Sequence, residues 1–147
     1  MNQHHLVEGR EQVVDTMIDL TRVSNLQRTI IAGSDSMRLY VALKRRGFIR
    51  VATPRTCRIP RSQHAIGLVA GHNELRSIES ALVEISPFLS DHATIAVLIE
   101  SPESGSSLRI RTRLQQMGFQ IEAGVRCERG LVLSAHRQGI SYMKKAA

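Results

Sequence analysis

Thr29-Ile30-Ile31-Ala32-Gly33-Ser34-Asp35-Ser36 opens the segment that decides the fold. The run from Thr29 to Ala32 is β-branched or apolar at every position, which suits a strand buried on both faces. Gly33 stops it, and Ser34-Asp35-Ser36 supplies side chains that cap helices. Leu39, Val41, Ala42 and Leu43 then carry a helix, with Lys44-Arg45-Arg46 in its last turn, where cations complement the helix dipole. Gly47 is placed to close it. Residues 48–52 read as a second strand, ended by Pro54. This strand–helix–strand unit predicts a parallel sheet with a right-handed crossover.

Upstream, Val13, Val14, Met17, Ile18 and Leu20 recur at helical spacing, predicting a helix over 11–23 after a loose arm at 1–10. Downstream, 65–70 reads as a third strand ending at Gly71. Asn73 is placed to cap a helix carrying Leu75, Ile78, Leu82, Ile85 and Leu89, with Pro87 distorting its last turn. Residues 93–99 form the strongest strand. A polar loop at 101–107 precedes a helix marked by Leu108, Ile110, Leu114 and Met117. Two late strands, 119–123 and 131–135, meet near Glu128-Arg129-Gly130, and 138–147 reads as a flexible basic tail. The expectation is one α/β domain over 1–147: a three-layer sandwich with a mostly parallel, Rossmann-like sheet and an antiparallel C-terminal hairpin.

Hydrophobic residues are 42% of the chain and charged residues 22%, values of a folded domain rather than a disordered one. No apolar run approaches the roughly 20 residues of a bilayer span, so no membrane partner is expected. The N-terminus lacks the charged-then-apolar pattern of a secretory leader. Cys57 and Cys127 form no CxxC pair, and the histidines show no ligand spacing. Reduced thiols, no metal and a cytoplasmic location are the expectation.

The net charge of +7 favours phosphate-bearing partners. It is concentrated: Lys44, Arg45, Arg46, Arg50, Arg55, Arg58 and Arg61 fall in 44–61 without an intervening acid. The helix end accounts for Lys44, Arg45 and Arg46. Arg55, Arg58 and Arg61 crowd a short loop and are candidate contacts for nucleic acid or another phosphate ligand. Aromatics are only 3%, however, and single-strand binders commonly stack bases on aromatic rings. An arginine after the second strand is also where some dinucleotide folds hold a 2′-phosphate, but the G-x-G-x-x-G fingerprint is absent.

The order of elements resembles class I S-adenosylmethionine-dependent methyltransferases over roughly 29–137. The likeness is carried by the helix Ala81-Leu82-Val83-Glu84-Ile85-Ser86-Pro87-Phe88-Leu89, the apolar strand 93–99, the step Met117-Gly118-Phe119, and a last strand ending Ala135-His136-Arg137. The resemblance implies a cofactor over the carboxyl ends of the first strands. Its candidate contacts are Gly33, Ser34, Asp35, Ser36, Thr53 and Gly71, with His72 a candidate base and Glu100 on the same edge. The cofactor motifs are degenerate. Gly33 alone remains of a Gly-rich turn, Ala52-Thr53-Pro54 stands where the family has an acid, and 53–63 is too short for the family's third strand and helix. The implied function is a non-catalytic binding or regulatory module. The alternatives are a small active S-adenosylmethionine-dependent methyltransferase and a nucleic-acid or phosphate-ligand binder through 44–61. A shortened sheet also leaves an edge strand open to pairing in a homodimer.

Overall fold

A computed structural model describes residues 2–71, 75–100 and 105–138. The elements run α1 (Asn2–Thr21), β1 (Thr29–Ala32), α2 (Ser36–Arg45), β2 (Val51–Ala52), β3 (His64–Val69), α3 (Leu75–Ile85), β4 (Leu89–Ile99), α4 (Ser106–Gln116), β5 (Phe119–Cys127) and β6 (Gly130–Arg137). They build a six-stranded sheet of order β2-β1-β3-β4-β6-β5. β2, β1, β3 and β4 are mutually parallel. β6 runs antiparallel to both β4 and β5, closing the expected hairpin.

Side chains alternate across the sheet and feed two cores. Ile30, Val69, Ile95, Val97, Ile99 and Leu133 face α3 and α4, where they meet Ile78, Leu82, Ile85, Ile110 and Leu114. Ile31, Ile66, Leu68, Ala96, Leu98 and Val132 face α1 and α2, against Val13, Val14, Met17, Leu39 and Leu43. Three layers follow, because a sheet apolar on both faces must be covered on both. Gly67 gives α3 its close seat. A Cβ there would lie 3.0 Å from Leu89 Cδ2 and 3.1 Å from Ile85 Cδ1.

Several bounds differ from the sequence expectation. α1 begins at Asn2, so the expected arm at 1–10 is helical over its described part. Beyond Val13, Val14 and Met17, polar contacts also dock this helix. Arg46, at the end of α2, pairs with Asp15 at 3.1 Å and with Glu11. β2 is two residues long rather than five, with Ile49 and Arg50 exposed beside it. β4 starts at Leu89, earlier than expected, because a single 3-10 turn at Ser86–Phe88, entered at Pro87, redirects the chain straight into the sheet. Residues 53–63 hold no strand or helix, as their length requires. They fold as a turn, Cys57 N–H to Thr53 O at 2.9 Å, and are tied to the far layer by Ser62 N–H to Pro87 O at 3.0 Å. His72, Asn73 and the tail at 139–147 lie outside the described residues. No described helix is long and apolar enough to cross a membrane.

The buried polar group of this region is His64, 1% exposed at the start of β3. Its Nδ1 lies 3.1 Å from the Phe88 carbonyl oxygen and donates to it. Burial pushes the imidazole below its ordinary 6.5. Arg28 pushes the same way, and the bond to Phe88 opposes both. The folded chain therefore binds this proton less readily than the unfolded chain, and stability rises with pH where the two differ. The contribution of neutral His64 is complete above about pH 6.5 and is lost as pH falls below it. Urea midpoints measured from about pH 8 down to about pH 5 should fall, and His64→Gln should flatten that decline. An unchanged slope in the variant would contradict this origin.

Candidate functional site

Parallel β1, β3 and β4 put their carboxyl ends on one edge, the usual ligand edge of an open α/β sheet. Here the chain turns back on itself closely. Gly33 has φ +106°, and a Cβ on it would sit 2.1 Å from the Ala70 carbonyl oxygen. Ala70 N–H donates to Ala32 O at 3.2 Å and Asp35 N–H to Ala70 O at 3.1 Å, while Ser36 N–H is taken by Gly33 O at 3.2 Å. Gly71 lies against the same turn: a Cβ on it would be 3.3 Å from Ser34 Oγ. Gly33, Ser34 and Gly71 are thus brought together, but as a turn folded onto the end of β3. Asp35 is the N-cap of α2 without a capping side-chain bond. Its carboxylate lies 4.0 Å from Arg38 instead.

The other edge candidates have local partners. Thr53 N–H donates to Thr56 Oγ1 at 3.0 Å, and the two hydroxyls are 3.1 Å apart, so Thr53 serves its own turn. Glu100 is held by Arg129 at 2.9 Å, from the β5–β6 connection. Among the described residues no group of His, Cys, Asp and Glu could hold a metal ion.

Beside this edge lies a groove of about 330 Å³ between α1 and α2, floored by Ala70 and Leu98. Val13, Val14, Leu39, Val41 and Ala42 give it apolar walls. Arg10, Arg38, Arg45 and Arg129 bring positive charge, against Glu11 and Asp35. Arg10 Nε is buried there and, among the described residues, has no hydrogen-bond partner. Sequence reading missed the groove because two sequence-distant helices form it. The available signal was the exposed apolar pair Met37 and Val41 on a helix whose buried face already holds Leu39 and Leu43.

The basic stretch divides. Lys44 Nζ donates to Ile49 O at 3.1 Å and Arg46 ties α2 to α1, so both are structural. Arg45 turns to the groove. Arg55, Arg58 and Arg61 are exposed on the 53–63 loop, and among the described residues none takes part in an ion pair.

No family model matches the sequence, and no curated protein matches it either. Solved structures do. Precorrin-6y C5,15-methyltransferase from Geobacter metallireducens is 11% identical, with 87% of this chain and 88% of that one covered and a TM-score of 0.59. Magnesium protoporphyrin IX methyltransferase from Synechocystis, solved with bound SAM, is 13% identical over 92% and 83%, at a TM-score of 0.60. The fold is that of class I methyltransferases. The cyclase SpnF also matches, 10% identical over 88% and 81%, at a TM-score of 0.60. A methyltransferase-like fold thus also turns up under another chemistry, and fold alone does not assign one.

S-adenosylmethionine is the group this fold implies, and among the described residues the β1–α2 turn and the end of β2 fit it poorly. The backbone N–H groups of Asp35 and Ser36 are spent on Ala70 and Gly33. No acid follows β2, where Thr53 is engaged with Thr56. The 53–63 turn supplies no strand or helix to wall off an adenine. The positive φ of Gly33, together with its approach to Ala70, makes one substitution informative. Gly33→Ala should cost about 1–3 kcal/mol from backbone strain alone, more with the clash, measured as a drop in urea midpoint. A variant as stable as the parent would show that the turn is not fixed as described.

Proposed function

We propose that this chain is a non-catalytic binding or regulatory module carried on a methyltransferase-like fold. One observation supports the reading above the others: 53–63 folds as a self-bonded turn without a strand or helix, so that, among the described residues, the end of β2 offers neither an acid nor a wall for a nucleoside. The free cysteines are in keeping with a reducing compartment, the cytoplasm. The ligand surface in this reading is the α1–α2 groove. Its apolar walls and four arginines favour a small amphipathic anion, with the apolar part on Val13, Val14 and Val41 and the charge near Arg38 and Arg45.

Calorimetric titration with S-adenosylmethionine and S-adenosylhomocysteine tests the first half. No heat is expected up to about millimolar ligand, a free energy of roughly −4 kcal/mol. Micromolar binding would restore the active-methyltransferase alternative. Fluorescent titration with anilinonaphthalene sulfonate, an apolar anion, tests the second half. Folded protein should bind it, and Arg38→Glu with Arg45→Glu should weaken that binding about ten-fold or more. Equal affinity in the double variant would remove the groove from the proposal.

A second reading is favoured by the exposure of Arg55, Arg58 and Arg61 on one loop without ion-pair partners. It is that this loop contacts a nucleic acid or another polyphosphate. Binding to single-stranded oligonucleotide should then fall steeply with salt, and loss of the three arginines should reduce the salt slope by roughly 2–3. An affinity indifferent to salt would dispose of it.

A further inference from the structure

At the opposite, amino-terminal end of the parallel strands, the 53–63 turn sets a thiol against the buried imidazole of β3. Cys57 Sγ lies 3.8 Å from His64 Nε2 and 3.6 Å from the Ile59 carbonyl oxygen, to which it also donates. Nδ1 of the same ring faces the Phe88 carbonyl at 3.1 Å. A carbonyl oxygen can only accept, so Nδ1 carries the hydrogen and Nε2 presents its lone pair to the thiol. Within the described residues Nε2 meets no other polar partner. Cys57 is half-buried and reachable, in contrast to the ring behind it. Arg55 and Arg58 flank it in the chain and Arg61 follows, all three exposed. A partly exposed thiol, an oriented base and a cationic surround are the conditions under which a cysteine reacts rather than packs. Cys127 provides the contrast: also half-buried, it donates to Thr16 Oγ1 at 3.5 Å and has no imidazole beside it.

We propose that the juxtaposed Cys57 and His64 form a reactive-thiol site that undergoes thiol–disulfide exchange with anionic disulfides drawn in by Arg55, Arg58 and Arg61. Cys57 Sγ attacks one sulfur of the incoming disulfide as its proton passes to His64 Nε2. The bond from Cys57 to that sulfur forms, the original S–S bond breaks, and the departing sulfur leaves as a thiolate. That thiolate takes up the proton from His64, directly or through water. The disulfide is reduced to one free thiol and one mixed disulfide, and Cys57 is oxidised, so no further oxidant is required. Before exchange His64 is neutral, with the Nε2 lone pair towards the thiol; burial and Arg28 disfavour its protonated form, so the proton it takes up passes on to the departing thiolate. The site is at the far end of the sheet from the α1–α2 groove and stands or falls separately from it.

The test is the exchange rate of each thiol with dithiobisnitrobenzoate, a dianionic disulfide, and with neutral dithiodipyridine. Cys57→Ser and Cys127→Ser isolate the two thiols, and mass mapping assigns the adducts. Cys57 should react about ten-fold or more faster than Cys127 with the dianion. Replacing Arg55, Arg58 and Arg61 with Ala should slow the dianion several-fold and leave the neutral reagent unchanged. His64→Gln should slow both reagents at Cys57 and neither at Cys127. If that variant does not fold, the arginine variant and the parent comparison decide. Equal rates at Cys57 and Cys127 in the parent, or arginine replacements that slow both reagents alike, would overturn the proposal.

Discussion

Burial of β1, β3 and β4 on both faces is the constraint on which this molecule rests. A strand with apolar groups on each side cannot face water on either, so helices must cover both, and the chain must cross over between parallel strands to place them. β4 shows the cost in composition: Ala93, Ile95, Val97 and Ile99 serve one core while Ala96 and Leu98 serve the other. The same constraint explains Gly67, where any side chain would meet Ile85 of the covering helix and Leu89 at the start of β4. Helix positions, and through them the α1–α2 groove, are consequences of that sheet.

Most of this architecture was legible because it is written in short-range patterns. Thr29-Ile30-Ile31-Ala32 has no polar alternation, and its bounds match β1. The Gly47 and Gly118 stops, the βαβ unit and the closing hairpin likewise depend on local signals. The missing strand and helix after β2 were legible from length alone. The errors arose where tertiary contact overrides local preference. Phe48 to Ala52 looks like a strand, yet only Val51 and Ala52 have a neighbour to pair with, namely Thr29 and Ile30. Nothing in residues 2–10 advertises a helix, since polar residues dominate there; the helix is held by docking further along, at Val13, Val14 and Met17.

The carboxyl edge was legible in a different sense. Gly33, Ser34 and Gly71 do converge, and a Cβ at 33 would meet the Ala70 carbonyl, a constraint on that position independent of any ligand. Sequence inspection identifies a position that needs a glycine without saying what it approaches. Side-chain pairing across the fold was the hardest to read. Arg129, distant in sequence, neutralises Glu100 from the neighbouring β5–β6 connection, and Cys57 meets His64 only because the intervening loop folds back on itself. Residue types at those positions carry no mark of the partner.

The position of β6 has a consequence for the order in which the molecule can be assembled. It is the last strand of the described residues but lies between β4 and β5. During synthesis β5 emerges before the strand that joins it to the sheet. Its partner in the sheet is β6, so it has no place there until residues 130–137 follow. The open flank of β4, with Thr94 to Ile99 unpaired, therefore persists until nearly the whole described chain has left the ribosome. Nascent chains halted short of that point carry an exposed, strongly apolar strand edge, the kind of surface that chaperones and other nascent chains recognise.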